Sequence, residues 1–133
     1  MKHSKLLLEP LQKRALYLAT TLLWLSGAIW LYLLETDPAR PLWMRLHGAA
    51  AMVFLMVFGT LLMQHVPAGW RQGEQRLSGV SLIATYSVLI VTGWMLYYLA
   101  GDQVRYWTGK THAILGLVLP LLIYIHVRQN MKK

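Results

Sequence analysis

The stretch that says most about the fold is Trp107 to Arg128, which reads WTGKTHAILGLVLPLLIYIHVR. It is an apolar run with a histidine near each end, and residues 111–127 include no Asp, Glu, Lys or Arg. A helix rises about 1.5 Å per residue, so this run approaches the length that crosses a hydrocarbon core of about 30 Å. His112 and His126 are 14 residues apart, which places them on nearly one face of the helix, about 21 Å from each other.

The rest of the chain has the same composition. It contains 133 residues, of which 56% are hydrophobic, and uncharged runs also occupy residues 15–34, 46–70 and 77–101. Helices that are apolar on every side are typical of membrane spans rather than of a soluble bundle. We predict an all-α membrane protein, a four-transmembrane-helix bundle in one domain over residues 1–133, with spans at about 15–34, 46–66, 77–100 and 107–128.

The second span has a histidine pair of its own. His47 and His65 are 18 residues apart, which is five helical turns and again one face. Ionisable residues within membrane spans are rare and by default functional. Two spans with two histidines each therefore indicate two ligand positions at two depths.

The two halves of the chain resemble one helical hairpin written twice. Ser26-Gly27 recurs as Thr92-Gly93 in the first helix of each half, and His47 recurs as His112 at the start of the second. In this alignment His47 is level with His112, and His65 is level with His126. The glycines have two interpretations: they admit the edge of a cofactor, or they allow close helix contact.

The chemistry of four imidazoles favours haem over a bare metal ion. One imidazole from each of two helices is too few for a tetrahedral zinc site, and the spans contain no carboxylate or thiolate to complete one. A haem supplies four nitrogens and needs two axial ligands, and without cysteine in the chain it is not covalently attached. We therefore predict two haems b, an outer one with its iron ligated by His47 and His112 and an inner one with its iron ligated by His65 and His126.

Other residues are candidates for contact with these haems. Phe54 and Phe58 lie within about 40° of His47 on their helix, and Gly116, one turn from His112, leaves room for a porphyrin. Basic residues near the span ends have two interpretations, as contacts to the haem propionates or as ordinary topology and headgroup charges. They are Arg40, Arg45 and Arg105 outside, with Arg71 and Arg128 inside.

Basic residues also predict the orientation. With four crossings, one side of the membrane has only Arg40, Arg45, Arg105 and Lys110. The side of both termini has Lys2, Lys5, Lys13, Arg14, Arg71, Arg76, Arg128, Lys132 and Lys133. By the positive-inside rule both termini are cytoplasmic. The net charge of +8 is thus mainly a topology signal, and we expect a lipid bilayer and no nucleic acid as a partner.

This arrangement resembles the four-helix dihaem b-type cytochromes, the group of cytochrome b and the cytochrome b561-like proteins. The resemblance lies in four crossings, the 14-residue pair His112 and His126, and the second pair His47 and His65, although the 18-residue spacing exceeds the usual 13 or 14. It implies electron transfer across a bacterial inner membrane, as a conduit or as the anchor subunit of an oxidoreductase. The implied partner is a quinone, a c-type cytochrome or an oxidoreductase subunit.

Two other hypotheses stay open from the sequence. The histidines can line a proton or metal-ion path in a transport or assembly protein without a cofactor. Alternatively, each histidine contacts lipid headgroups near the end of its helix. A direct oxidoreductase activity on quinone also stays open, although no residue of the spans stands out as a general base.

Overall fold

The computed structural model describes residues 10–73 and 75–131. Four long helices account for nearly all of this part of the chain, which confirms the all-α fold with four apolar helices. They are α1 (Pro10–Tyr32), α2 (Arg40–Gln72), α3 (Arg76–Tyr98) and α4 (Asp102–Met131). Each is long enough and apolar enough to cross a membrane. Lys2, Lys5, Lys132 and Lys133, which the topology prediction uses, lie outside the described residues.

The ends of the helices follow from local backbone chemistry. Between α1 and α2 the side chain of Asp37 accepts a hydrogen bond from the amide of Ala39 at 2.8 Å, which forms a short turn just before Pro41 in the first turn of α2. At the end of α2, Gly73 has a φ of 72°, the left-handed conformation that commonly ends a helix. Gly101, with a φ of 123°, precedes Asp102, whose negative charge favours a helix N-terminus.

Each helix packs against its neighbour in sequence. We call α1 with α2 the first hairpin and α3 with α4 the second hairpin. These pairs are the hairpins that the internal repeat predicts, and each forms a compact unit. The short connections within each pair require the two helices to run in opposite directions.

The first hairpin buries one stripe of α2 and exposes the opposite one. Ala50, Phe54, Phe58 and Leu61 recur at intervals of three and four residues and are buried, which is the pattern of one helix face. The opposite face carries Met52, Met56 and Met63, with 67%, 68% and 81% of their surface exposed. Exposed apolar surface on this scale is expected where lipid replaces water as the solvent.

Candidate functional site

His47 of α2 is held by two groups of α1. Its Nδ1 atom lies 3.0 Å from the carbonyl oxygen of Leu23 and 3.1 Å from Oγ of Ser26. Ser26 is 4% exposed, and its hydroxyl donates to the carbonyl of Leu22 at 2.5 Å. A carbonyl can only accept, so the contact with Leu23 requires His47 to donate from Nδ1.

His112 has an equivalent environment in the second hairpin. Its Nδ1 atom lies 2.9 Å from Oγ1 of Thr92 on α3. The Thr92 hydroxyl donates to the carbonyl of Val88 at 2.7 Å, so its single proton is already committed. The Thr92 oxygen is then the acceptor, and His112 donates from Nδ1.

His126, at the other end of α4, repeats the arrangement a third time. Its Nδ1 atom lies 3.0 Å from Oγ of Ser78. The Ser78 hydroxyl donates to Oε1 of Gln129 at 2.8 Å and lies 3.2 Å from the carbonyl of Gln75. With its proton directed to these acceptors, the Ser78 oxygen accepts a hydrogen bond from Nδ1 of His126.

A glycine follows each of these hydroxyl residues and makes room for the imidazole. A Cβ atom added at Gly27 would lie 3.1 Å from Cε1 of His47, and one added at Gly93 would lie 3.4 Å from Cε1 of His112. At Gly79 the distance to Cε1 of His126 is 3.8 Å. An imidazole ring thus lies beside Gly27 and beside Gly93.

We call each such hydroxyl-glycine dipeptide an imidazole seat; the seats are Ser26-Gly27, Ser78-Gly79 and Thr92-Gly93. Each lies on the first helix of its hairpin and orients a histidine of the second. Because Nδ1 carries the proton in all three neutral imidazoles, Nε2 carries the lone pair. Histidine that ligates a metal through Nε2 almost always donates its other ring N–H to an acceptor of this kind.

His65 differs from the other three span histidines. It is half-buried, but within residues 10–73 and 75–131 no hydroxyl or carbonyl stands at its ring nitrogens. Its neighbour Gln64 makes a cross-helix contact instead, since Oε1 of Gln64 accepts a hydrogen bond from Nε2 of Gln12 at 2.8 Å. The structure therefore separates the four predicted ligands into three seated histidines and one unseated histidine.

The residues predicted to pack against a porphyrin lie on the faces that pack within each hairpin. Phe54 and Phe58 stack on each other with ring centroids 5.5 Å apart, on the same face of α2 as His47. A Cβ atom added at Gly116 would lie 3.9 Å from Cδ2 of Leu89 on α3. All three positions thus pack beside the histidine faces, and their contact with a haem stays a prediction.

The five predicted propionate contacts have different surroundings. Arg40 lies over the ring of Trp30, 4.4 Å from its centroid, and 3.8 Å from a carboxylate oxygen of Glu35. Arg128 donates from Nη1 to the hydroxyl of Tyr124 at 3.1 Å. The remaining three are exposed; they are Arg45, Arg71 and Arg105. Arg40 therefore contacts residues of its own hairpin, whereas the side chains of Arg45, Arg71 and Arg105 are exposed.

The seats are the part of the site that the sequence-based reasoning did not recognise. Ser26-Gly27 and Thr92-Gly93 stood out as repeated dipeptides, but only the glycines were interpreted and the hydroxyls had no role. Ser78-Gly79 is not part of that repeat. A signal for it exists, because Ser78 precedes Thr92 by 14 residues, the same interval that separates His112 from His126.

Comparisons with known proteins do not assign this chain to a family. Comparisons with protein-family models, with curated proteins and with solved structures found no match. The described residues also include no group of three or more His, Cys, Asp and Glu side chains placed to hold a metal ion. The candidate site consequently consists of single imidazoles, three of them with a built hydrogen-bond partner.

Proposed function

We propose that this chain transfers electrons across a membrane as a b-type cytochrome with two bis-histidine haems. His47 and His112 would hold one haem, and His65 and His126 would hold the other. The observation that carries the proposal is the seating of three imidazoles by Ser26, Ser78 and Thr92. Haem, when bound, supplies an iron that cycles between the ferric and ferrous states.

The donor set fits haem better than other metal centres. A structural or catalytic zinc site uses three or four protein ligands, and a mononuclear copper site similarly needs several. The described residues place no three such ligands together. A b-type haem would need only two imidazoles from the protein, and single, well-oriented histidines can supply them.

The seats have a specific task in this proposal. The hydrogen bond from Nδ1 keeps the proton on that nitrogen, so the lone pair stays on Nε2, and it prevents the ring from turning about its bond to Cβ. A partner of this kind also raises the basicity of the ligand. Because the Ser26 and Thr92 hydroxyls are tied to carbonyls one turn earlier on their own helices, each seat is rigid before any cofactor binds.

The lengths of α2 and α4 support the transmembrane part of the proposal. Helices α2 and α4 contain 33 and 30 residues and so extend about 50 and 45 Å, longer than the hydrocarbon core. We propose a bacterial inner membrane with both termini cytoplasmic, from the excess of Lys and Arg on that side. The proposed partners are the quinone pool and a periplasmic or membrane-bound redox protein.

The test is a dithionite-reduced minus oxidised spectrum of the purified protein, with a pyridine haemochrome assay for haem b per chain. We expect two haems per chain, and we expect His47→Ala to reduce this to one. The matched control is His3→Ala, which removes a histidine outside the spans and should leave both haems. Protein without haem, from cells that make haem normally, would contradict the proposal and favour the histidine-lined transport hypothesis.

A further inference from the structure

We propose that His65 is an exchangeable axial ligand, so that the iron it ligates binds a small external ligand such as carbon monoxide whereas the other iron does not. This inference rests on the proposed function, because it concerns how the chain holds its haems. If it is correct, the two haems differ in whether they bind an external ligand. A haem held by seated histidines would serve electron transfer alone, and a haem held by His65 would also offer a coordination position.

The second hairpin shows what two seats in register look like. His112 and His126 are 14 residues apart on α4, and their seats Thr92 and Ser78 are 14 residues apart on α3. Because the two intervals are equal and the helices are antiparallel, both hydrogen bonds form, from His112 to Thr92 at 2.9 Å and from His126 to Ser78 at 3.0 Å. Each imidazole of this hairpin is therefore oriented before it meets a haem.

Within residues 10–73, the first hairpin has one seat, Ser26-Gly27. Counting 14 residues back from Ser26 gives Gln12, which donates to Gln64 instead of to a histidine. Counting 18 back, to match the interval from His47 to His65, gives Leu8, which has no hydroxyl and lies outside the described residues. Neither position has the chemistry of a seat, and Gln12 contacts the residue before His65 rather than the His65 ring.

The backbone around His65 also lacks a restraint. Pro67 lies inside α2, two residues after His65, and proline has no amide hydrogen to donate to the carbonyl of residue 63, one turn earlier. The turn that carries His65 consequently has one hydrogen bond fewer than a regular helix. His47, near the start of the same helix, has its seat at Ser26 and no proline within the turn that follows it.

These differences predict a weaker bond from His65 to iron. Partners that orient a metal-ligating histidine typically change metal affinity or activity by about 10- to 100-fold. His65 has no such partner in the part of the chain that the structure describes, so it should leave its iron about 10- to 100-fold more readily than a seated histidine. A small external ligand can then occupy the position that His65 vacates.

The experiment titrates the dithionite-reduced holoprotein with carbon monoxide and follows the kinetics by stopped-flow absorbance. We expect one carbon monoxide per two haems, bound at a rate that levels off at high carbon monoxide because His65 must dissociate first. His65→Met should change this limiting rate at least tenfold, since a different ligand then has to leave. The control is Gln64→Ala, which alters the neighbouring side chain and should leave the limiting rate unchanged.

Each outcome decides the inference. The inference would be overturned if neither haem binds carbon monoxide or if both haems bind it. It would also be overturned if His65→Met leaves the limiting rate unchanged. If His65→Met instead loses one haem, the haem that remains must not bind carbon monoxide, and binding by that haem would equally overturn the inference. Failure of the proposed function is a separate result, because the purified protein would then contain no haem to titrate.

Discussion

The three seat glycines allow a graded steric test of how the imidazoles are held. An added methyl group would lie 3.1 Å from the His47 ring at Gly27, 3.4 Å from the His112 ring at Gly93 and 3.8 Å from the His126 ring at Gly79. Two carbon atoms in good contact are about 3.5 to 4.0 Å apart. Gly27→Ala therefore requires a movement of about 0.4 Å or more, Gly93→Ala a much smaller one, and Gly79→Ala none.

The magnitude follows from the hydrogen bond at stake. A shift of about 0.4 Å away from α1 would lengthen the 3.0 Å contact between His47 and Leu23 beyond the usual upper limit of about 3.2 Å. Overpacking of this kind costs about 1 to 3 kcal/mol. Alanine otherwise favours a helix over glycine by about 0.5 to 1 kcal/mol, so Gly79→Ala should be neutral or stabilising.

The assay is the rate at which each variant loses haem to an excess of apomyoglobin, together with its thermal unfolding temperature in detergent. We expect haem loss to be fastest in Gly27→Ala, intermediate in Gly93→Ala and close to wild type in Gly79→Ala. Gly59→Ala is the matched control, because an added Cβ there meets nothing within 4 Å. Equal haem retention in Gly27→Ala and Gly59→Ala would refute the steric reasoning, as would a larger effect at Gly79 than at Gly27.

Three further predictions test other contacts. Thr92→Val keeps the shape of Thr92 but removes the acceptor for His112, so haem affinity at that site should fall about 10- to 100-fold in an equilibrium haem titration, with Thr92→Ser restoring it. Arg40→Ala removes the contact with Trp30 and should lower stability by about 0.5 to 1 kcal/mol in thermal unfolding. Glu35→Ala should have little effect, because Glu35 is 92% exposed and such ion pairs contribute little. Phe58→Ala should destabilise the first hairpin by about 3 to 5 kcal/mol, measured by unfolding in mixed detergent, while Met56→Ala on the exposed face should not.

Much of the fold was predictable because it depends on local properties of the chain. Runs without charge predict helices of membrane length, and the repeated histidine positions predict two similar hairpins. The bounds differ mainly outside the apolar runs, where α2 and α4 begin at Arg40 and Asp102, several residues before the predicted spans. A helix continues into the interface region as long as its backbone hydrogen bonds are satisfied, and hydropathy does not register this extension.

The site was predictable only in part. Helical periodicity placed His47 with His65 and His112 with His126 on common faces, because rotation per residue is a local property. It did not show what stands opposite each ring. Arg40 is an example on a smaller scale, since its contact with Trp30 joins residues on two helices and has no signature in the sequence between them.

Four apolar helices, paired histidines on two of them and the resemblance between the halves can all be recognised in the sequence alone. These features depend on composition and on the helical period, which each segment expresses independently of its neighbours. The packing of the helices is needed to show that Ser26, Ser78 and Thr92 contact imidazoles, and that His65 has no such partner among residues 10–73 and 75–131. These contacts depend on the rotation and shift of one helix against the next, which side-chain packing within each hairpin sets to within a few tenths of an ångström.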